Sequence, residues 1–303
     1  MIAEPGRGAG TLSRRRRVVI DSVDPVALRK RVGAELRRHR VGAGRTASEA
    51  ADELGCSRGK ISQMEAGLYR LQHRDVRDLL LFYGAVQADM DALVENVRTS
   101  GKPSWWAPYA EVVEDRFAFF LGSEGDAIRE FVYEHSVVPE LLQTPEYATA
   151  LTRAQNRVAG DKHDLVAELR MVRQQRLHGR RPLALDVVVE EAALRRPIGG
   201  PEVHRAQLER LVEFSGLTNV SIQILPTAVG AHAGMDGKFV VLEFERYSPG
   251  VYLEAHPAVG TRYDVDDATL SATHLDIAAA LQKQALSQRQ SVAFVRDLLG
   301  ELG

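Results

Sequence analysis

The sequence is short of several things that would have named a chemistry at once. One cysteine in 303 residues excludes an internal disulfide framework and a cysteine-built zinc site, and it agrees with a reducing compartment. No apolar run approaches the roughly 20 residues of a membrane span, and the Arg-rich start lacks a following apolar signal core. The nine histidines never fall in the H-E-x-x-H spacing of a metallopeptidase helix. Gly199-Gly200 runs into Pro201 and reads as a turn and helix start, so a phosphate-cradling glycine loop is missing as well. A self-cleaving serine peptidase would use Ala233-Gly234 as its scissile bond and a Ser–Lys dyad downstream. Ser248, Ser271, Ser287 and Ser291 follow, but Lys238 and Lys283 fall in a predicted strand and helix, and no dyad emerges. The expectation is a cytoplasmic chain that is not an enzyme and holds neither metal nor cofactor.

Net charge is also scarce, at −2 overall, yet it is unevenly spread. Residues 1–74 hold 16 Lys+Arg against 8 Asp+Glu, a surplus of +8, which leaves −10 on the remainder. A basic head on an acidic body is the electrostatic pattern of a phosphate-binding N-terminal part. Residues 1–23 include Arg14 to Arg17. They read either as a disordered, solvated tail or as an arm that tracks phosphates, and one does not exclude the other.

The stretch Thr46 to Gly67 organises the rest. Thr46-Ala-Ser-Glu49 has the form of a capping box, in which the hydroxyl takes a first-turn N–H and the glutamate reaches back. Gly55 suits a sharp corner with positive φ, Ser57 is placed to cap a second helix, and Gly67 to end it. Ala50, Ala51 and Leu54 form one apolar face and Ile61 and Met64 another, with Ala51 small enough for a close crossing. Two short helices around a tight corner are the outline of a DNA-binding helix-turn-helix. Ahead of it, Asp24-Pro25 starts a helix with Leu28, Val32 and Leu36 inward and Arg29, Lys30, Arg31, Arg37, Arg38 and Arg40 on its exposed side. Behind it, helices are predicted over 75–83 and 88–98. Gly101-Lys-Pro-Ser104 reads as a linker.

Beyond residue 104 the pattern changes. Tyr109–Leu121 is amphipathic, and Thr144-Pro145 opens a helix to about residue 158. A second helix over 164–178 turns Leu165, Leu169, Val172 and Leu177 inward and its arginines outward. Helices are also expected over 201–215, 266–284 and 287–302. Strands are predicted over 127–133, 183–190, 220–225, 239–244 and 251–254, the last two as a hairpin through Ser248-Pro-Gly250. The fold class is therefore mainly α with an α/β part: residues 24–100 all helical, residues 105–303 a larger mixed α/β domain. The loop Gly230–Gly237, with His232 among small residues, looks built for flexibility beside a sheet. It reads as a hairpin loop or as the wall of a pocket or partner surface. Glu254 and His256 could approach His232 in space.

Five short helices with Ala50-Ala51, the Leu54-Gly55-Cys56-Ser57 corner and Ile61-Ser-Gln-Met-Glu-Ala-Gly67 resemble the lambda-repressor-like, XRE-type helix-turn-helix domain over about residues 25–98. The resemblance implies a transcriptional regulator that binds double-stranded operator DNA, as a homodimer on two half-sites. It implies base-reading positions at Arg58, Gly59, Ser62 and Gln63. Arg58 suits the bidentate contact to guanine and Gln63 that to adenine, whereas Gly59 has no side chain to read with. Arg45, Thr46, Ser48, Lys60, Arg70 and Arg74 are the expected phosphate contacts. Glu65 is expected to bind a neighbouring arginine instead of DNA, and Cys56 to fill the turn as a small apolar residue.

The second part is similar to an uncharacterised domain that follows such modules in many actinobacterial regulators. The likeness rests on Trp105-Trp106, Val138-Pro-Glu-Leu-Leu-Gln-Thr-Pro-Glu-Tyr-Ala148, Arg173-Gln-Gln-Arg176, Glu191-Ala-Ala-Leu-Arg195 and the run from Asn219 to Pro226. Glu140 stands where that family usually has glycine, so either strain or a different loop path is expected there. The resemblance implies a small partner protein encoded nearby; the expected role of this part is to dimerise and to receive a signal, from a small ligand or from that partner. The alternative is an antitoxin-like interaction module that neutralises that partner and binds DNA to autoregulate.

Overall fold

A computed structural model describes residues 24–99, 103–155, 158–245, 249–253, 262–264 and 268–302. The arginine run at 14–17, linker positions 101 and 102, the turn residue Ser248, and Glu254 and His256 lie outside the described residues.

The helical part comprises α1 (Pro25–Gly42), α2 (Ala47–Glu53), α3 (Arg58–Glu65), α4 (His73–Phe82) and α5 (Gln87–Thr99). Asp24 caps α1 by accepting the Val26 N–H at 2.8 Å, and Pro25 fills the first helical position where no N–H is needed. Val32, Leu36, Ala50, Ala51, Ile61, Met64, Val76, Leu79 and Leu80 are buried together, so one face of each helix closes a single small core. Close approach is enforced by glycine: a Cβ on Gly33 of α1 would lie 2.5 Å from the Met64 carbonyl oxygen of α3.

Lys30 corrects the expectation of a fully solvated basic face on α1. It is 2% exposed, because α1 is covered on that side by α6 (Asp115–Glu124) from the second part. Its ammonium donates to Ser123 Oγ at 3.0 Å and sits over the rings of Phe119 and Phe244 at 4.9 and 4.7 Å. Arg31 pairs with Asp126 beside it. Cation–π and charge-assisted contacts offset the desolvation of a lysine that periodicity alone places in water.

The second part is built on a six-stranded sheet. Its strands are β1 (Arg129–Glu134), β2 (Ala184–Glu190), β3 (Val220–Leu225), β4 (Phe239–Glu243), β5 (Gly250–Leu253) and β6 (Arg262–Asp264), in the spatial order β3-β2-β1-β4-β5-β6. β1, β2 and β3 run parallel, and β4, β5 and β6 continue the sheet antiparallel. Parallel neighbours need crossovers. Helices α7 (Pro145–Gln155) and α8 (His163–Gln174) lie between β1 and β2, and α9 (Glu191–Arg195) and α10 (Pro201–Phe214) between β2 and β3. Helices α11 (Ala268–Gln284) and α12 (Gln288–Glu301) close the chain. Alternation sends Val132, Val187, Val189 and Ile222 into a core with Tyr147, Leu169, Leu208 and Leu298, and sends Phe131, Tyr133, Val188 and Val241 to the other face with Ala278 and Leu281. The mixed α/β reading is thus correct.

The amphipathic segment at 109–121 divides into a 3₁₀ turn, Ala107–Val112, and α6, whose start coincides with Glu114-Asp115. The arginines expected on the outside of α8 are another correction. Arg170 and Arg173 are 8% and 2% exposed, and Arg173 forks onto Glu124 at 2.6–3.2 Å and also binds Glu140. Glu140 opens a one-turn 3₁₀ helix, so its backbone needs no glycine. Burial works to raise its carboxyl, but Lys238, Arg173 and Arg170 prevail and hold it well below the ordinary range.

Candidate nucleic-acid interface

The capping box at Thr46 is present. The Glu49 N–H donates to Thr46 Oγ1 at 3.1 Å, and the Thr46 N–H to Glu49 Oε2 at 2.8 Å. Gly55 turns the corner at φ +61°, and Ser57 Oγ accepts the Lys60 N–H at 3.2 Å to start α3. Gly67 ends the unit at φ +71°, where a Cβ would lie 2.6 Å from Lys30 Cα. Cys56 is half-buried against the helical core, as a small apolar turn residue would be.

With Ile61 and Met64 fully buried, helical geometry leaves positions 58, 59, 62 and 63 on the opposite face, and all four are exposed. Among the described residues, the side chains of Arg58 and Gln63 make no internal hydrogen bond and are available to a partner. Gly59 has open space around it: a Cβ there would meet only Ser57 Oγ, at 3.8 Å. No packing among the described residues demands glycine at that point.

The residues expected at phosphates are disposed around this face with different freedom. Ser48, Arg70 and Arg74 are exposed, Arg74 lying 3.8 Å from Asp78. Arg45 lies over the Phe82 ring at 4.7 Å and 3.4 Å from Glu49. The Thr46 hydroxyl also donates to Glu49 Oε2 at 2.8 Å, so it is already engaged in capping. Lys60 is held by Asp75 at 3.0 Å and by the Tyr69 ring at 5.4 Å, which raises its pKa first through the hydrogen bond to Asp75. Neither partner of Lys60 is legible from local spacing. Glu65 is buried and takes both Arg40 Nε, at 2.6 Å, and Arg40 Nη2, at 2.9 Å. That internal fork pins the end of α3 to α1.

Partial burial lowers the pKa of Arg29, on the same α1; Asp24 opposes this and the nearby Arg70 adds to it. Helical spacing places Arg29 on a solvated face, whereas it is half-buried. The arrangement as a whole is a rigid, capped helix with two unengaged hydrogen-bonding side chains, flanked by cations. Such a surface can enter a major groove and take phosphates on both sides. Among the described residues, no group of three or more His, Cys, Asp or Glu side chains could hold a metal ion, and no helix is long and apolar enough to cross a membrane.

Two family models match the chain. Residues 31–93 match a model described as a helix-turn-helix domain. Residues 117–297 match a model described as a domain of unknown function, DUF5753. No curated protein and no solved structure matches the chain.

Proposed function

The chain belongs to the DUF5753 family, with a helix-turn-helix domain ahead of it, and on that premise we propose that it is a sequence-specific transcriptional regulator. The observation that carries this reading is the exposed face of α3, where Arg58 and Gln63 stand free above buried Ile61 and Met64. In the proposal Arg58 reads guanine, Gln63 reads adenine and Ser62 supports them. Ser48, Arg45, Arg70 and Arg74 fix the position on phosphates, and Thr46 and Lys60 contribute from their internally bonded positions. One short helix reads few base pairs, so the working form is a homodimer on two half-sites about one helical turn apart. The second part of the chain joins the protomers and receives a signal. A signal acts only through unequal affinity for the DNA-competent and incompetent states.

The test is an operator selected from random duplex DNA, followed by titration of the Arg58→Ala variant. Specific affinity is expected to fall by about 1–3 kcal/mol while salt-sensitive non-specific binding persists. Equal loss on selected and scrambled DNA would reduce Arg58 to a phosphate contact and remove the assigned recognition.

A further inference from the structure

The carboxyl ends of β1, β2 and β3 converge beside the point where the sheet changes from parallel to antiparallel, between β1 and β4. In open α/β sheets, the crevice outside such strand ends is where ligands lie. Here it holds a cavity of about 270 Å³, whose polar wall is Tyr133, Glu190, His232 and His135. Tyr133 is fully buried, and the His232 side chain is 7% exposed.

These groups form a chain with a defined proton arrangement. The Gly234 N–H points at His232 Nδ1, 3.2 Å away, so that nitrogen is the acceptor and the ring proton sits on Nε2. Nε2 then faces Glu190 Oε1 at 3.2 Å, and the Tyr133 hydroxyl donates to the same oxygen. The loop closes this tightly only with glycine at 234, since a Cβ would lie 2.7 Å from the Tyr133 ring. The consequence is lopsided. Glu190 Oε1 accepts the Tyr133 hydroxyl and lies beside His232, whereas Oε2 takes no hydrogen bond among the described residues and stays accessible on a side chain that is 26% exposed. None of the ten lining residues is Lys or Arg, so the only fixed charge on the wall is that of Glu190. Leu225, Pro226 and Met235 supply an apolar side.

We propose that this cavity is a binding site for a small nitrogen cation, an amine or amidine, that donates N–H to Glu190 Oε2 and lays its carbon body against Leu225, Pro226 and Met235. The negative wall excludes carboxylates and phosphates of the same size. This gives the signal-receiving role proposed above a site and a ligand class, and rests on that role only for its effect on DNA.

The site is tested with benzamidinium chloride as probe and sodium benzoate as its anionic isostere, by calorimetric titration of the full chain without DNA. Benzamidinium is expected to bind one to one and benzoate not to bind. Glu190→Gln is expected to weaken benzamidinium about tenfold or more, with its fold checked by circular dichroism. Met235→Lys is the second variant. Met235 is 70% exposed, so an ammonium there repels the probe at the mouth without disturbing the core. Absence of benzamidinium binding overturns the site, as does equal binding of benzoate or affinity that survives both substitutions. Operator titrations with and without benzamidinium form a separate arm. Binding of the probe with no change in operator affinity would keep the site and discard its signalling role.

Discussion

Lys30 of α1 and Ser123 of α6, 93 residues apart, are joined by a buried hydrogen bond of 3.0 Å that ties the helix-turn-helix part to the sheet-bearing part. One residue earlier, Gly122 lets the two helices meet: a Cβ there would collide with Val26 and lie 2.8 Å from Asp24 Oδ1. Gly122→Ala therefore overpacks this contact and is expected to lower stability by about 1–3 kcal/mol, read by urea unfolding. A loss near zero would mean that α1 and α6 part freely.

Gly59 makes the opposite case. With open space around its Cα, Gly59→Ala is expected to stabilise α3 by about 1 kcal/mol, seen as a raised unfolding midpoint. If operator affinity falls in the same variant, the missing side chain serves close approach of the helix backbone to DNA. If affinity is unchanged, that base pair is unread.

The fork between Arg40 and Glu65 should matter to folding before it matters to recognition. Glu65→Ala leaves a half-buried guanidinium without its partner and is expected to cost about 1–3 kcal/mol, while Glu65→Gln, which keeps one acceptor, costs less. Once both variants are saturably folded, sequence preference in a binding selection should match that of the parent. A shifted preference would give Glu65 a direct part in reading.

Glu130 gives a pH signature. It is 2% exposed with no partner for Oε2 among the described residues, and burial, then the nearby Glu124, raises its carboxyl well above the ordinary value. Arg173 and Arg176 oppose this without cancelling it. The folded chain thus binds a proton more tightly than the unfolded one, so its stability drops as pH rises past the unfolded value of about 4.5. Glu130→Gln removes that loss. The variant is expected to be more stable by about 1–3 kcal/mol near neutrality, with the advantage closing below about pH 4.5. Chemical denaturation at several pH values reads it, and a constant difference would show that ionisation is not the cause.

Much of this was readable in the chain because the signals are local. Thr46 with Glu49, Ser57, Gly55 and Gly67 each fix a backbone event within a few residues, and the structure has all of them. The alternation at Val187, Val188 and Val189 likewise dictates opposite faces of one strand. What escaped depends on partners far along the chain. Lys30 and Arg173 look like solvated cations by helical spacing, and only Phe119, Phe244, Glu124 and Glu140 arriving from elsewhere make their burial tolerable. The loop at 230–237 stands out in the sequence by its small residues, but Tyr133 and Glu190, which line the cavity with it, sit at strand ends about 100 and 40 residues before it. The exposure of positions 58, 59, 62 and 63 on α3 was legible by position, whereas the engagement of Lys60 with Asp75 was not.

Because α1 contributes one flank to the small helical core and another to α6, the seam between the chain's two parts runs along a helix and not through the segment that links them. A cut near residue 100 would strip the cover from Val26 and Lys30 and deliver to water a surface made to be dry. Exchange of reading heads between such proteins is therefore a matter of matching helix faces: a transplanted head must bring a glycine-sized notch partner and a lysine for the aromatic cleft. Otherwise the graft will keep its exposed α3 face but lose the buried contact that couples it to the body.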